Sequence, residues 1–155
     1  ADPTWTPQGT QIEESGAYMV ANGTTLEIRT DAEVFMFNET SSSMFRGSNN
    51  NIGSRITSID FNGCINTSKV TTLAYMFQNC CKLTSLGLTG FSVNENLTTQ
   101  EMFYYTGGSN ATENRIPIKV TETGYNFLKD KTDTNIQYSN AKYVQPDGAD
   151  WPASE

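Results

Sequence analysis

Ile56-Thr57-Ser58-Ile59-Asp60-Phe61 and Leu83-Thr84-Ser85-Leu86-Gly87-Leu88 are one phrase written twice. The offset that superposes them also sets Cys64 on Phe91. Further along, Leu73-Ala-Tyr-Met76-Phe77 matches Thr99-Gln-Glu-Met102-Phe103 at an offset shorter by one, so a single deletion in the connecting loop relates the two copies. A further Met-Phe pair, Met44-Phe45, stands one unit ahead of Met76-Phe77. An apolar-x-apolar element precedes each pair: Leu26-Glu-Ile28, Ile59-Asp-Phe61 and Leu86-Gly-Leu88. A fourth, Ile116-Pro-Ile118-Lys-Val120, follows the last. Self-similarity of this kind marks stacked units, none of which can bury its apolar set alone.

The physical reading is a coil. Each unit supplies a short strand whose side chains alternate inward and outward, then a Thr/Ser/Asn-rich passage, then a helical or turn segment carrying Met-Phe. Stacking pairs the strands in parallel and lines equivalent residues into ladders. Three ladders are expected: Leu26, Ile59, Leu86 and Ile116; Ile28, Phe61, Leu88 and Ile118; and Phe45, Phe77 and Phe103.

Residues 52–103 resemble the BspA-like leucine-rich repeats of bacterial surface proteins. The residues that carry the likeness are Ile56-Thr-Ser-Ile-Asp-Phe, then Asn66-Thr-Ser-Lys-Val70, then Met76-Phe-Gln-Asn-Cys80-Cys-Lys-Leu83-Thr-Ser-Leu. It weakens over 24–51 and 104–120, and the Cys is kept once: Arg46-Gly47 and Tyr104-Tyr105 follow the other two Met-Phe pairs. The last connection also carries an insertion, Gly107–Asn114. The resemblance implies an α/β fold: a short right-handed leucine-rich-repeat-like solenoid of parallel strands in about three coils. It also implies a cell-surface or secreted module that contacts host matrix proteins, other cells or glycans.

A solenoid needs its open ends covered. Ala17–Ala21, Asn22-Gly23 and Thr24–Arg29 read as a β-hairpin, because Asn-Gly between alternating runs is a strong turn signal. After Val120 the pattern changes. Thr121–Lys131 carries an N-cap candidate and an apolar helical face. Asn135–Tyr138 and Ala141–Val144 read as short strands, and Pro146-Asp-Gly148 breaks the chain. The expected organisation is a single domain: an N-terminal cap over 1–23, the solenoid over 24–120, a helix-plus-strand cap over 121–148 and a loose tail over 149–155. The chain opens Ala1-Asp2-Pro3 without Met and reads as a mature or excised piece.

Composition narrows the function. Thr, Ser and Asn make up 49 of 155 residues while charged residues are 17%, so solubility rests on hydroxyls and amides, as in many extracellular β-rich domains. The net charge of −7 and ten scattered basic residues leave no footprint for nucleic acid. No apolar run reaches the length of a membrane span. Five Asn-x-Ser/Thr triplets, at Asn22, Asn38, Asn66, Asn96 and Asn110, are potential glycan acceptors in a eukaryotic secretory pathway.

Catalysis lacks its usual residues. The chain has no His, which removes the commonest general base, the common triads and the usual zinc ligands. No phosphate loop or dinucleotide fingerprint occurs. Three thiols, Cys64, Cys80 and Cys81, make a poor metal site. Cys64 and Cys80 read as small buried apolar residues, with a Cys64 disulfide to Cys80 or Cys81 as the alternative. Carboxylates such as Glu27, Asp60 and Glu101 carry no spacing that separates a glycosidase pair from surface charge. The expectation is a non-enzyme without metal or cofactor. A binding face would follow from the outward strand positions: Glu27 and Arg29, then Ser58, Asp60 and Asn62, then Ser85, Gly87 and Thr89, then Lys119. Tyr104 and Tyr105, beside the insertion, form a second candidate. The expected partner is an extracellular protein or glycan. A structural spacer or accessory domain of a larger secreted protein is the alternative.

Overall fold

The computed structural model describes residues 10–11, 17–22, 25–30, 34–48, 53–61, 63–108 and 115–152. The chain is a small α/β domain built on a parallel four-stranded sheet. Three short strands, β1 (Thr10–Gln11), β2 (Ala17–Asn22) and β3 (Thr25–Thr30), form an antiparallel sheet. β4 (Phe35–Met36) pairs in parallel with β6 (Ile65–Asn66). The main sheet runs in the order β5 (Ser58–Asp60), β7 (Ser85–Gly87), β8 (Ile116–Lys119) and β9 (Ala141–Val144). The repeated Thr-Ser-apolar phrase is therefore two adjacent strands, with Ile59 opposite Leu86.

Two expected ladders need correction. Leu26 and Ile28 lie in β3, opposite Ala21 and Met19 of β2, and β3 is not a member of the parallel sheet. In β8 the partner of Leu86 is Ile118, not Ile116, and Ile118 in turn faces Tyr143. The reason lies in the period of a strand. Ile116, Ile118 and Val120 all point to the core and are all buried. A slip of two residues keeps the same face inward, so alternation alone cannot choose among them. The residues ahead of β8 belong to the insertion, which removes the repeat spacing as a guide.

The Met-Phe segments are turns, not helices, and their hydrogen bonds show why. In the second segment the N–H groups of Met76, Gln78 and Cys80 bond locally, to the carbonyls of Leu73, Tyr75 and Phe77. The intervening N–H groups of Leu73, Tyr75, Phe77 and Asn79 reach the next segment, to Thr98, Gln100, Met102 and Tyr104. The first segment treats the second in the same way: Ser41, Ser43, Phe45 and Gly47 donate to Thr72, Ala74, Met76 and Gln78. An α-helix would direct every N–H four residues back and leave none for a neighbour. This alternation places Ser43, Tyr75 and Glu101 in the left-handed region, at φ of 60°, 61° and 51°. Such a conformation is unfavourable for a non-glycine residue and persists where surrounding bonds impose it.

Stacked turns carry stacked rings. Phe45 and Phe77 are parallel to within 1° at 5.8 Å, and Phe77 and Phe103 to within 6° at 6.1 Å. All three are buried, as the third ladder requires. Met76 and Met102 are buried beside them, whereas Met44, in the first segment, is 40% exposed. Phe37, Phe61 and Phe91 form a second aromatic group, with centroids 5.3–5.9 Å apart.

The C-terminal region holds the expected helix, α1 (Glu122–Leu128). Its N-cap is Thr121, whose hydroxyl oxygen accepts the Gly124 N–H at 3.2 Å. The strand expected over Asn135–Tyr138 is instead a second 3-10 turn, following one over Thr132–Thr134. Asn135 between them is left-handed, with φ of 57°, and ends the first turn through its N–H to Thr132. β9 forms as expected and extends the parallel sheet. The segment after it folds back: Val144 bridges to Asp150, and Trp151 stacks on Tyr125 at 4.7 Å. Residues 150–151 are thus held by packing rather than loose.

Candidate binding site

The outward positions of the strands do not form the continuous face expected. Glu27 and Arg29 belong to the separate antiparallel sheet, and their side chains, like Asn62, lie outside the described residues. Ser58 and Asp60 on β5 are exposed, and Ser85 on β7, Thr89 after it and Lys119 on β8 are half-buried. Register sets Asp60, Gly87 and Lys119 side by side across three strands. The absence of a side chain at Gly87 leaves room for the Asp60 carboxylate, whose Oδ1 would stand 2.6 Å from a Cβ placed there. The Asp60 side chain lies across the glycine, so the middle of this row is a carboxylate over bare backbone.

Tyr104 and Tyr105 do come together, and a third residue joins them. Their rings meet edge to face at 4.7 Å, and Tyr138 packs on Tyr104 at 6.0 Å. Tyr105 is 39% and Tyr138 53% exposed, while Tyr104 is half-buried beneath them. The turn geometry produces this. Tyr104 holds the stack through its carbonyl, which accepts the Asn79 N–H at 2.8 Å, and Tyr105 is left-handed at φ 58°. Tyr138 arrives from the 3-10 turn at the end of the stack. Sequence spacing offered no signal for it, since the insertion, β8 and α1 all lie between it and Tyr105.

The thiols divide by environment. Cys64, expected inside by its alignment with Phe91, is exposed; it follows the Gly63 turn, and Ile65 next to it is the residue that enters the core. Cys81 is also exposed, Cys80 is buried, and no disulfide joins any of the three. Cys80 donates its S–H to the Phe45 carbonyl at 3.0 Å. Thr106, at the equivalent place in the next turn, donates its hydroxyl to the Phe77 carbonyl at 2.9 Å and is fully buried. The two residues do one job: a small side chain ties each Met-Phe turn to the one before it. The repeat position asks for a compact donor, not a cysteine, which is why the Cys can be absent from the third copy.

Burial pushes the Cys80 thiol up from 9.0 to about 12. Repulsion from Cys81 adds to this, and the Gly47 backbone N–H partly offsets it. Two results are expected. Under native conditions a thiol-specific reagent labels Cys64 and Cys81, and Cys80 reacts only after denaturant is added; prompt labelling of all three would contradict the packing. The second concerns alkaline pH. The unfolded thiol ionises from about pH 9 and the folded one only near 12, so the unfolded state binds fewer protons in that window and stability falls as pH rises. The slope from this group approaches ~1.4 kcal/mol per pH unit. The phenol of Tyr143, also raised by burial, acts in the same direction at higher pH. Equilibrium unfolding of Cys80→Ala between about pH 8 and 11 should show a shallower decline than the parent.

A pocket of about 440 Å³ opens where α1, the second 3-10 turn, β9 and the returning segment meet. Tyr125 and Trp151 make one wall, stacked to within 8°. Arg115, Lys129 and Lys142 supply its cations, and Lys142 is paired with Asp150 at 2.5 Å. Among the described residues no group of three or more His, Cys, Asp or Glu is placed to hold a metal ion, and no helix is long and apolar enough to cross a membrane. Of the Asn-x-Ser/Thr sites, Asn38 and Asn96 are exposed and Asn66 is half-buried; the side chains of Asn22 and Asn110 lie outside the described residues. No family model, no curated protein and no solved structure matches this chain.

Proposed function

We propose that the chain is a non-catalytic binding module that works outside the cell or on its surface, where it recognises an extracellular protein or glycan. The observation that carries this reading is the Tyr104–Tyr105–Tyr138 patch. It is an exposed aromatic cluster set on a stack of hydrogen-bonded turns, in a chain without histidine. Tyrosines offer large contact area with few rotamers to freeze, and they dominate the energetics of many recognition surfaces. The repeated turns and parallel strands support the further reading of a short right-handed leucine-rich-repeat-like solenoid of the BspA-like kind, with the β2–β3 hairpin and α1–β9 as its caps. Cell-surface or secreted placement follows from that likeness and from the polar, hydroxyl-rich composition.

The test is binding of the purified domain to arrays of extracellular proteins and glycans, followed by Tyr105→Ala and Tyr138→Ala. Both side chains are partly exposed and lie outside the buried core, so these variants should remain folded, with the melting temperature lowered by about a few degrees. A loss of about tenfold or more in affinity is expected for the pair. An intact domain that binds nothing above background would overturn the proposal and leave the spacer reading. Retained affinity in the folded double variant would remove the tyrosine patch as the site.

A further inference from the structure

The stack of Met-Phe turns has two ends, and they are finished differently. At the far end the N–H groups of Glu101 and Phe103 donate to the carbonyls of Asp133 and Thr134, so the 3-10 turn Thr132–Thr134 closes the third Met-Phe turn. The near end is the first turn, and its outer edge is open. Thr40 bridges to Thr72 and Thr72 to Thr98, which fixes the places that correspond from turn to turn. The carbonyls of Thr72, Ala74 and Met76 accept N–H groups from the first turn, and those of Thr98, Gln100 and Met102 accept them from the second. The same places in the first turn are Thr40, Ser42 and Met44. Among the described residues no hydrogen bond reaches their carbonyls, and the hairpin adds no strand here, since β3 pairs with β2.

Side chains mark the same edge. Met76 and Met102 are buried, but Met44 is 40% exposed, because no described turn lies over it. Apart from Tyr105 and Tyr138, the exposed large apolar side chains of the described residues are Val34, Met36 and Met44, all from the first unit. Met36 belongs to β4, whose described partner is β6 alone, and it lines an open concavity with Phe37, Glu39 and Lys69. Unpaired backbone acceptors beside exposed apolar side chains make an edge that another chain can extend.

We propose that this edge docks a segment of a partner polypeptide that itself carries the turn pattern, with alternate N–H groups directed at Thr40, Ser42 and Met44 and an apolar side chain against Met44. The stack shows what such an edge takes, since each later turn is covered by a turn of the same kind. The polarity of the edge speaks against a second copy. Two first turns would meet carbonyl to carbonyl. The donors of this pattern in a copy are also spent: Ser41, Ser43 and Phe45 on the second turn, Leu73, Tyr75 and Phe77 on the third, and Glu101 and Phe103 on the 3-10 turn. The surface is separate from the tyrosine patch and does not depend on it.

The probe is a synthetic peptide of the sequence Asn38–Gly47, blocked at both ends, because this is the segment that seats on the second turn. It is titrated into the full chain carrying ¹³C-labelled methionine methyls, five in number, with Met44→Leu to assign the Met44 signal. The peptide should shift that signal and saturate in roughly the millimolar range, while Met76 and Met102 stay in place. A second peptide has ester linkages where the first has the amide N–H groups of Ser43 and Phe45. It keeps every side chain, loses two donors and should bind about tenfold more weakly. Met44→Glu alters an exposed side chain, so the variant should remain folded by circular dichroism and bind the amide peptide about fivefold or more weakly. No saturation by the amide peptide, or equal affinity of the ester peptide, overturns the proposal whether or not the Met44→Glu variant folds. Sedimentation of the full chain gives one more outcome: a dimer that Met44→Glu abolishes would make a second copy the occupant and overturn it too. If the arrays yield a ligand that depends on Tyr105 and Tyr138 while the first turn stays silent, the module reading stands and this one falls.

Discussion

Phe77→Ala is expected to destabilise the domain by about 3–5 kcal/mol, the range for truncating a fully buried aromatic ring. Phe77 is the middle ring of three, stacked on Phe45 on one side and Phe103 on the other, and it has no exposed surface. Its removal opens a void that neither neighbour can fill. Each of those rings is held by a backbone N–H bonded across to the next turn, Phe45 to Met76 and Phe103 to Thr134. A domain of this size has a total stability of only ~5–15 kcal/mol, so the variant should lie close to unfolding. The melting temperature should fall on the order of 10 °C. Thermal or urea unfolding followed by circular dichroism checks this. A loss under about 1 kcal/mol would mean that the column is not the core.

Gly47→Ala should cost about 3 kcal/mol, although it adds one methyl group. A Cβ at Gly47 would stand 2.0 Å from the carbonyl oxygen of Asn79 and 2.6 Å from its carbonyl carbon. Those are backbone atoms and cannot rotate aside. The first turn would have to move away from the second, which breaks the 2.7 Å bond from the Gly47 N–H to Gln78 and separates the Phe45 and Phe77 rings. The same unfolding measurement serves. Parent-like melting of Gly47→Ala would show that the two turns do not approach this closely.

How far these features could be read in advance depends on whether a side chain or a backbone bond carries them. The Phe45–Phe77–Phe103 column was legible because each ring must be buried and recurs at the same place in its unit. Strands β5 and β7 were legible for the same reason, and α1 because Thr121 is a strong cap ahead of an apolar face. Tyr104 and Tyr105 were singled out as adjacent aromatics beside a polar insertion. Tyr138 was not, and neither was the pocket, whose Tyr125, Lys142 and Trp151 come from segments that fold together only in three dimensions. The equivalence of Thr106 and Cys80 was hidden by their different chemistry. It appears only when each is seen donating to the phenylalanine carbonyl of the turn before it.

By itself, the sequence determined that repeated units stack and which large side chains fill the space between them, because burial of apolar surface depends on residue type and period. It also determined that histidine chemistry is absent. The tertiary structure alone decided the register of β8, where three apolar residues fit the same face equally well. It decided that β3 pairs with β2 and not with the parallel sheet. It decided, too, that Ser43, Tyr75 and Glu101 share a left-handed backbone although they share no chemistry. Those outcomes follow from hydrogen bonds between backbones, which every residue except proline offers alike, so only the packed arrangement can distribute them.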